Sequence, residues 1–396
     1  MNADQNQSNQ SLRSENYAAL LWSDHDYRRR FAIANRDEFN RLISERFPLA
    51  PRSYVDSYIE HMIAEHHIEN PLCELYLESE LGAIGKYGEL IRGFAEHGFD
   101  VKGKSCLDIG CSNGALALAC LNEGASNSMG VDISQGRIDS AAMLCADSNV
   151  RLACVDIVAD PLVEKFDAIF CTDVLEHVEN AEAIISEIAH SLRRDVQAFA
   201  YITVFNRNAM QNVLNEPHFS IPGLIRLNRS DGKRIWHSVR SALHSQIDYD
   251  VFDWYDYSQY AAMAEEHALV VEPCYSADTL QNSRALDIET YEEAAANFEA
   301  EFKKGLAALP LLHEHAELLK AAAVDYLRHF RTDHEKHSPS DHESAHRLFM
   351  KYYAQPIAFM MHRRDGPPPP ATEPRTPKRP SRLRQWIDRR SRGSRS

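Results

Sequence analysis

The sequence predicts an α/β fold, a doubly wound sheet with helical N-terminal and C-terminal additions. Three observations carry that expectation. From Lys104 onward, short apolar runs alternate with amphipathic stretches, the rhythm of a parallel sheet with helices on both faces. Successive runs end in glycine or an acidic residue, where open α/β sheets place their ligands. The flanks on either side carry spaced apolar residues with few glycines, as helices do.

Taken in order, residues 1–16 are polar and read as a disordered start, without the basic-then-apolar plan of a secretory signal. Residues 17–103 read as a helical layer, with apolar residues at helical spacing such as Tyr58, Met62 and Ile63, then Leu90, Ile91 and Phe94. Residues 104–284 form the main domain. Its strands are expected at 105–109, 128–133, 150–157, 166–172 and 198–204. An insertion at about 206–250, punctuated by Pro217, Pro222, Gly223 and Gly232, is placed to act as a lid. A helix at 258–267 and a strand at 269–275 are expected to finish the sheet. Residues 285–362 read as helical, interrupted around 338–340. Residues 363–396 form a proline-rich basic tail, whose Pro367–Pro370 run makes an extended linker.

Composition bounds the function. With 44% hydrophobic residues in 396, a large buried core is available, and no run of about 18 apolar residues suggests a membrane span. The eight cysteines contain no C-x-x-C, and Cys106, Cys111, Cys154 and Cys171 lie in or beside strand-like runs, so they read as reduced core thiols of a cytoplasmic protein. The net charge of −15 hides an asymmetry: the tail holds 11 basic and 3 acidic residues, a balance of +8 that leaves −23 elsewhere. Such a body disfavours nucleic acid, whereas the tail suits an anionic surface.

The strongest motif is Cys106-Leu107-Asp108-Ile109-Gly110-Cys111-Ser112-Asn113-Gly114, an apolar strand running into a tight glycine-bearing turn before a helix. Glycines admit close backbone approach, and a helix start favours an anion, so a nucleotide-type cofactor fits. The nicotinamide fingerprint G-x-G-x-x-G is incomplete, because Ser112 and Ala115 stand where glycine is required. Asp132, followed by Ile133, ends the second strand with a carboxylate suited to ribose hydroxyls, which fits either cofactor. Asp156, followed by Ile157, ends the third strand and suits an adenine amine. The fourth strand ends in Thr172-Asp173-Val174-Leu175-Glu176-His177-Val178. Singly, each of these also fits a tight turn, a helix cap or a solvated strand end. Their joint order at strand ends is what points to a site.

These four motifs resemble the class I S-adenosylmethionine-dependent methyltransferases, closest to the ubiquinone-biosynthesis and sugar O-methyltransferase branch, over roughly residues 104–275. The resemblance implies a Rossmann-like methyltransferase sheet and S-adenosyl-L-methionine as cofactor. It implies that Asp108, Gly110, Cys111, Ser112 and Gly114 cradle the methionine end, Asp132 and Ile133 the ribose side, and Asp156 with the Ile157 amide the adenine. Thr172 and Asp173 would lie near the methionine ammonium and the sulfonium. Ser112 departs from the glycine common there.

Methyl transfer to a hydroxyl needs a base for the acceptor's proton. His177, delivered by the fourth strand beside Glu176, is the first candidate, and His218, in Asn215-Glu216-Pro217-His218-Phe219, the second. The aromatic run 252–257 is placed to wall an acceptor pocket. Seven later histidines, His313, His315, His329, His334, His337, His342 and His346, match no metal-ligand spacing and read as a solvated helical face, so no metal is assigned. The expected acceptor is a small molecule or glycan, with no specific nucleic-acid partner. Alternatives are a methyltransferase of proteins or other macromolecules, and a non-catalytic cofactor-fold module. Against the first stands the lack of an Asn-Pro-Pro-Tyr-type run, and against the second the complete set of cofactor residues. In the tail at 382–395, Leu383, Trp386 and Ile387 share a helical face flanked by arginines, the plan of a weak anionic-membrane contact at the inner membrane face.

Overall fold

The computed structural model describes residues 21–70, 72–243, 245, 248–274, 288–337 and 342–366. The expected disordered start at 1–16, the interruption at 338–340 and, apart from 363–366, the proline-rich basic tail with its contact at 382–395 lie outside these residues. The chain forms two compact units, one of described residues to Val155 and one from Asp156.

The first unit opens with helices α1 (His25–Ala34), α2 (Arg36–Arg46), α3 (Arg52–Ala64), α4 (Cys73–Glu80) and α5 (Ala83–Ala95). Asp24 caps α1 by accepting from the Tyr27 amide, and the buried Arg28 donates to the carbonyls of Ile68 and Asn70 at 2.7 and 3.1 Å. Strands β1 (Ser105–Ile109), β2 (Asn127–Asp132) and β3 (Arg151–Cys154) are parallel, in the order β3-β2-β1, with α6 (Ala115–Asn122) and α7 (Gln135–Leu144) as crossovers. β1 is buried at four of five positions, as a strand covered on both faces must be.

The second unit holds β4 (Ala168–Thr172), β5 (Phe199–Val204), β6 (Leu269–Pro273) and β7 (Ile357–Arg363) in the order β4-β5-β7-β6. β4 and β5 are parallel, and β7 runs antiparallel to β5 and to β6. Helices α8 (Ala181–Ser191) and α11 (Tyr257–Glu266) belong to this α/β part, with Asn180 capping α8 and Asp256 with Gln259 forming a capping box on α11. The sequence reading of 285–362 as all helical is corrected here, because 357–363 is the last strand of the sheet. A fully buried strand reads as a continuous apolar run, here Ile-Ala-Phe-Met-Met, and such a run has no period to separate it from a buried helix. The main domain therefore closes with this returning segment rather than at 284.

Helices α9 (Met210–Leu214), α10 (Arg229–Val239), α12 (Ile288–Ala307), α13 (His313–Glu335) and α14 (His342–Tyr352) complete the unit. The insertion is no loose lid. Phe219, Ile225, Ile235 and Trp236 share one buried core with Phe298, Tyr326 and Phe330 of the C-terminal helices. Asn206 fixes its entry, donating to the Met350 and Ala354 carbonyls at 3.1 and 2.8 Å in full burial. The C-terminal histidines are not all solvated either. His315, His334 and His337 are buried and turn to Ser238, the Phe330 carbonyl with Tyr353, and Ser344, because α13 is packed on more than one side. Among the described residues no helix is long and apolar enough to cross a membrane.

Candidate functional site

In the first unit the turn after β1 is built from left-handed residues at alternate positions. Gly110, Ser112 and Gly114 have φ of 70°, 48° and 79°. Only glycine takes that conformation without cost, so Ser112 stores local strain of the kind that collects at ligand-binding turns. The Gly110 and Cys111 amides both donate to the Val131 carbonyl, at 2.8 and 2.9 Å, tying the turn to the end of β2. Asp132 completes the tie. One carboxylate oxygen accepts the Ser112 amide at 3.1 Å and the other the Ser134 amide at 2.9 Å. Each oxygen keeps a second lone pair, so the half-buried carboxylate can also accept from two hydroxyls. Beside it Ile133 is 76% exposed, a large apolar side chain of the sort that a flat ring would cover. These residues fit a ribose-bearing adenine cofactor.

Packing beneath the turn leaves no slack. A Cβ on Gly130 would lie 2.9 Å from both Cβ and Sγ of Cys111 and 3.1 Å from Leu152. Gly130→Ala is therefore expected to cost about 1–3 kcal/mol, read as a lowered midpoint in urea unfolding. An unchanged midpoint would mean that the turn and β2 can separate freely.

Two of the expected cofactor residues have buried side chains. Asp108 is 3% exposed, its carboxyl pushed up to about 8 by burial although the Ala117 backbone stabilises the charge. Cys111 is 5% exposed, and burial raises its thiol, so it packs as a small hydrophobe. A further brace was not foreseen in the sequence. The buried Asn113 donates its side-chain amide to Glu80 at 2.9 Å, and the Tyr54 hydroxyl donates to the same Glu80 oxygen, so α3 and α4 hold the turn in place.

In the second unit Asp156 is exposed and accepts from the Val158 amide at 3.0 Å, capping its own turn, while Ile157 is buried. Thr172 and Asp173 end β4. Asp173 is left-handed, with φ of 55°, held by its amide on the Thr203 carbonyl at 2.9 Å and by the Thr203 hydroxyl on its carboxylate at 3.1 Å.

A 3-10 turn, Leu175–His177, follows and presents His177. The structure brings together the two candidate bases that lie 41 residues apart: His177 Nε2 and His218 Nε2 are 3.2 Å from each other, with their rings edge to face. His218 is held from behind by Glu216, which is 1% exposed and accepts from His218 Nδ1 at 2.9 Å and from the His218 amide at 3.0 Å. Burial opposes the charged form of His218, but the Glu216 bond and charge, with Glu176 and Asp250, raise its pKa overall. His177 Nδ1 lies 3.2 Å from the Asp250 carbonyl. Glu176 is fully buried beneath the pair. Burial, and then the Asp173 charge, push its carboxyl up to about 8. Phe205 and Trp254 pack on the His218 ring, so the aromatic run at 252–257 contributes to the wall.

Glu216 and Asp250 were missed as functional residues. Glu216 had a local signal, since an acid two residues before histidine across a proline can fold back on it. Asp250 had none, being 73 residues from His177. Also unforeseen are Arg207 and Arg226, half-buried guanidiniums whose pKa values are lowered by burial, and for Arg207 next by Arg226 itself. They donate to the Trp254 carbonyl and the Asn208 side chain, not to carboxylates.

Residues 107–200, from β1 into β5, match the family model of a methyltransferase domain. Over that stretch the chain carries a methyltransferase domain. A ubiquinone biosynthesis O-methyltransferase of Neisseria meningitidis serogroup C is 29% identical over 114 residues, 28% of this chain and 47% of that protein. One of the same name from Coxiella burnetii is 32% identical over 118 residues, 29% of this chain and 49% of its own. The chain thus spans about half the length of the curated relatives that it matches. Magnesium protoporphyrin IX methyltransferase of Synechocystis superposes on 50% of this chain and 78% of its own, at 16% identity and a TM-score of 0.34. The methyltransferase domain holds the Gly110–Gly114 turn, Asp132, Asp156, Thr172, Asp173 and His177, whereas His218 and Glu216 come from the insertion that follows it.

Proposed function

We propose that the protein transfers a methyl group from S-adenosylmethionine to a hydroxyl of a small molecule, glycan hydroxyls included. The observation that carries this reading is the paired imidazoles, with His218 aimed by the buried Glu216. A sulfonium methyl transferred to sulfur-free nucleophiles needs little covalent help, but a hydroxyl must lose its proton as the carbon–oxygen bond forms. Bound, the cofactor supplies the methyl and leaves as a neutral thioether. Asp132 would grip its ribose, the 110–114 turn its methionine end, and Asp156 with the Ile157 amide its adenine. Thr172 and Asp173 would flank the reacting end. The His177–His218 centre takes the acceptor proton, with the His218 ring packed among Phe205, Phe219 and Trp254. That relatives are named O-methyltransferases supports a hydroxyl acceptor. The test is transfer of radiolabelled methyl from the cofactor into cell extract, resolved into small-molecule, lipid, glycan and macromolecular fractions. Label confined to protein or nucleic acid would overturn the acceptor class.

The chain acts in the cytoplasm, touching the inner membrane face through residues 382–395. Each basic residue near an anionic bilayer contributes about 1 kcal/mol, and a tryptophan settles at headgroup depth. The full chain is expected to pellet with anionic liposomes at low salt, and a chain truncated after Asp365 to stay in solution. Equal pelleting of the two removes the contact.

A further inference from the structure

We propose that Glu176, His177 and His218 bind one divalent transition-metal ion of the zinc class. Among the described residues these three form a group whose ligand atoms all lie within 4.8 Å of one another. The tautomers follow from the partners. His218 Nδ1 faces a carboxylate and His177 Nδ1 faces a carbonyl, and each partner can only accept. Both Nδ1 atoms therefore carry hydrogen, and in the neutral rings both Nε2 atoms present lone pairs.

Those lone pairs point at each other across 3.2 Å. Beside them is the fully buried Glu176, whose carboxylate meets no side-chain donor and has only the Glu176 and Phe205 backbone to favour its charge. Two lone pairs and a buried carboxylate gathered this closely repel one another until a proton or a metal cation is shared between them. Two zinc–nitrogen bonds of about 2.0–2.1 Å span roughly this separation at a near-tetrahedral angle. The outer contacts have the form that metal-bound histidines take, each Nδ1–H held by a carboxylate or carbonyl that fixes ring and tautomer. His177 and His218 retain side-chain exposures of 31% and 18%, which leaves room for a fourth ligand from solvent or substrate. Two imidazoles and one carboxylate suit zinc and its first-row neighbours, whereas magnesium favours oxygen donors.

The proposal rests on the hydroxyl-methylation reading only for the ion's task, which would be to bind the acceptor oxygen and acidify its hydroxyl so that the proton passes to solvent, the imidazoles then acting as ligands in place of the base. Ion binding itself needs no acceptor. The experiment uses the untagged full chain, stripped with a chelator and returned to metal-free buffer, titrated with Zn²⁺ by calorimetry and with Co²⁺ by visible absorption. The expected result is one ion per chain with cobalt ligand-field bands. His177→Ala and His218→Ala should each weaken binding at least a hundredfold, and Glu216→Gln about ten- to a hundredfold. His329→Ala, on the exposed face of α13, serves as the control and should leave binding unchanged. Circular dichroism reports folding, and if an alanine variant unfolds, His218→Asn replaces it. No stoichiometric ion, or binding indifferent to both histidines, overturns the metal centre. Full-rate methyl transfer by the ion-free chain overturns the ion's catalytic task while leaving the hydroxyl reading intact. Stoichiometric binding that the histidine variants abolish, in a chain that methylates nothing, supports the centre and removes that reading instead.

Discussion

Replacing His218 with alanine is expected to lower the rate of methyl transfer by about 10²–10⁴, with cofactor affinity nearly unchanged. The reason is division of labour. His218 comes from the insertion and is aimed by Glu216 at His177. His177→Ala should fall in the same range, and the double variant should be little worse than either single one, because residues acting as one unit do not add. Glu216→Gln keeps the shape of the contact and removes its charge, so a smaller loss is expected. These outcomes are read from single-turnover rates alongside calorimetry with the cofactor. A fall in affinity parallel to the rate would make the pair part of the cofactor wall, and additive losses would mean that the two rings act separately.

The difference in origin between these residues explains what was legible in the sequence. Asp132, Asp156 and Asp173 could be found because strand ends follow from the alternation of apolar runs, and an α/β sheet puts its ligands at those ends. The first six strands were readable for the same reason, the first at its expected bounds and the others with ends shifted by up to three residues: the third, expected over 150–157, spans only Arg151–Cys154. β7 was not, since Ile357–Met361 is buried without interruption and its partners β5 and β6 lie far back in the chain. Apolar periodicity reports one covered face, and a strand covered on both sides has none to report.

The centre of the second unit was half legible. His177 and His218 each stood out as a histidine with an acidic neighbour, but their meeting depends on how the insertion packs against α12, α13 and α14. Nothing local in Asn206 announces that it will bond two carbonyls at the end of α14 and so set the path of the segment carrying His218. Asp108 is the reverse case. Its place in the glycine motif suggested a ligand contact, whereas a carboxyl 3% exposed inside β1 serves the strand-to-helix junction through the Ala117 backbone.

Asp132→Ala is expected to weaken cofactor binding by about ten- to a hundredfold for each ribose hydrogen bond lost, since bonds to a charged acceptor contribute about 1.5–3 kcal/mol. The carboxylate does two things at once. It offers lone pairs to a ligand, and it holds the Ser112 and Ser134 amides at 3.1 and 2.9 Å. Alanine removes both, so part of the loss would come from a loosened turn, in which Ser112 already carries a left-handed φ of 48°. Asp132→Asn separates the two effects. Its remaining carbonyl oxygen can still accept one of the amides, which preserves much of the turn while removing the charge and one acceptor. If the ribose assignment holds, Asn should lose most of the affinity that Ala loses, with the thermal unfolding midpoint close to that of the parent chain. If Asn binds the cofactor as the parent does and only Ala fails, Asp132 is a brace for the turn and the hydroxyls are held elsewhere. Unchanged affinity in both variants would take the ribose away from Asp132 altogether, and with it the main physical support for an adenosyl cofactor in this unit.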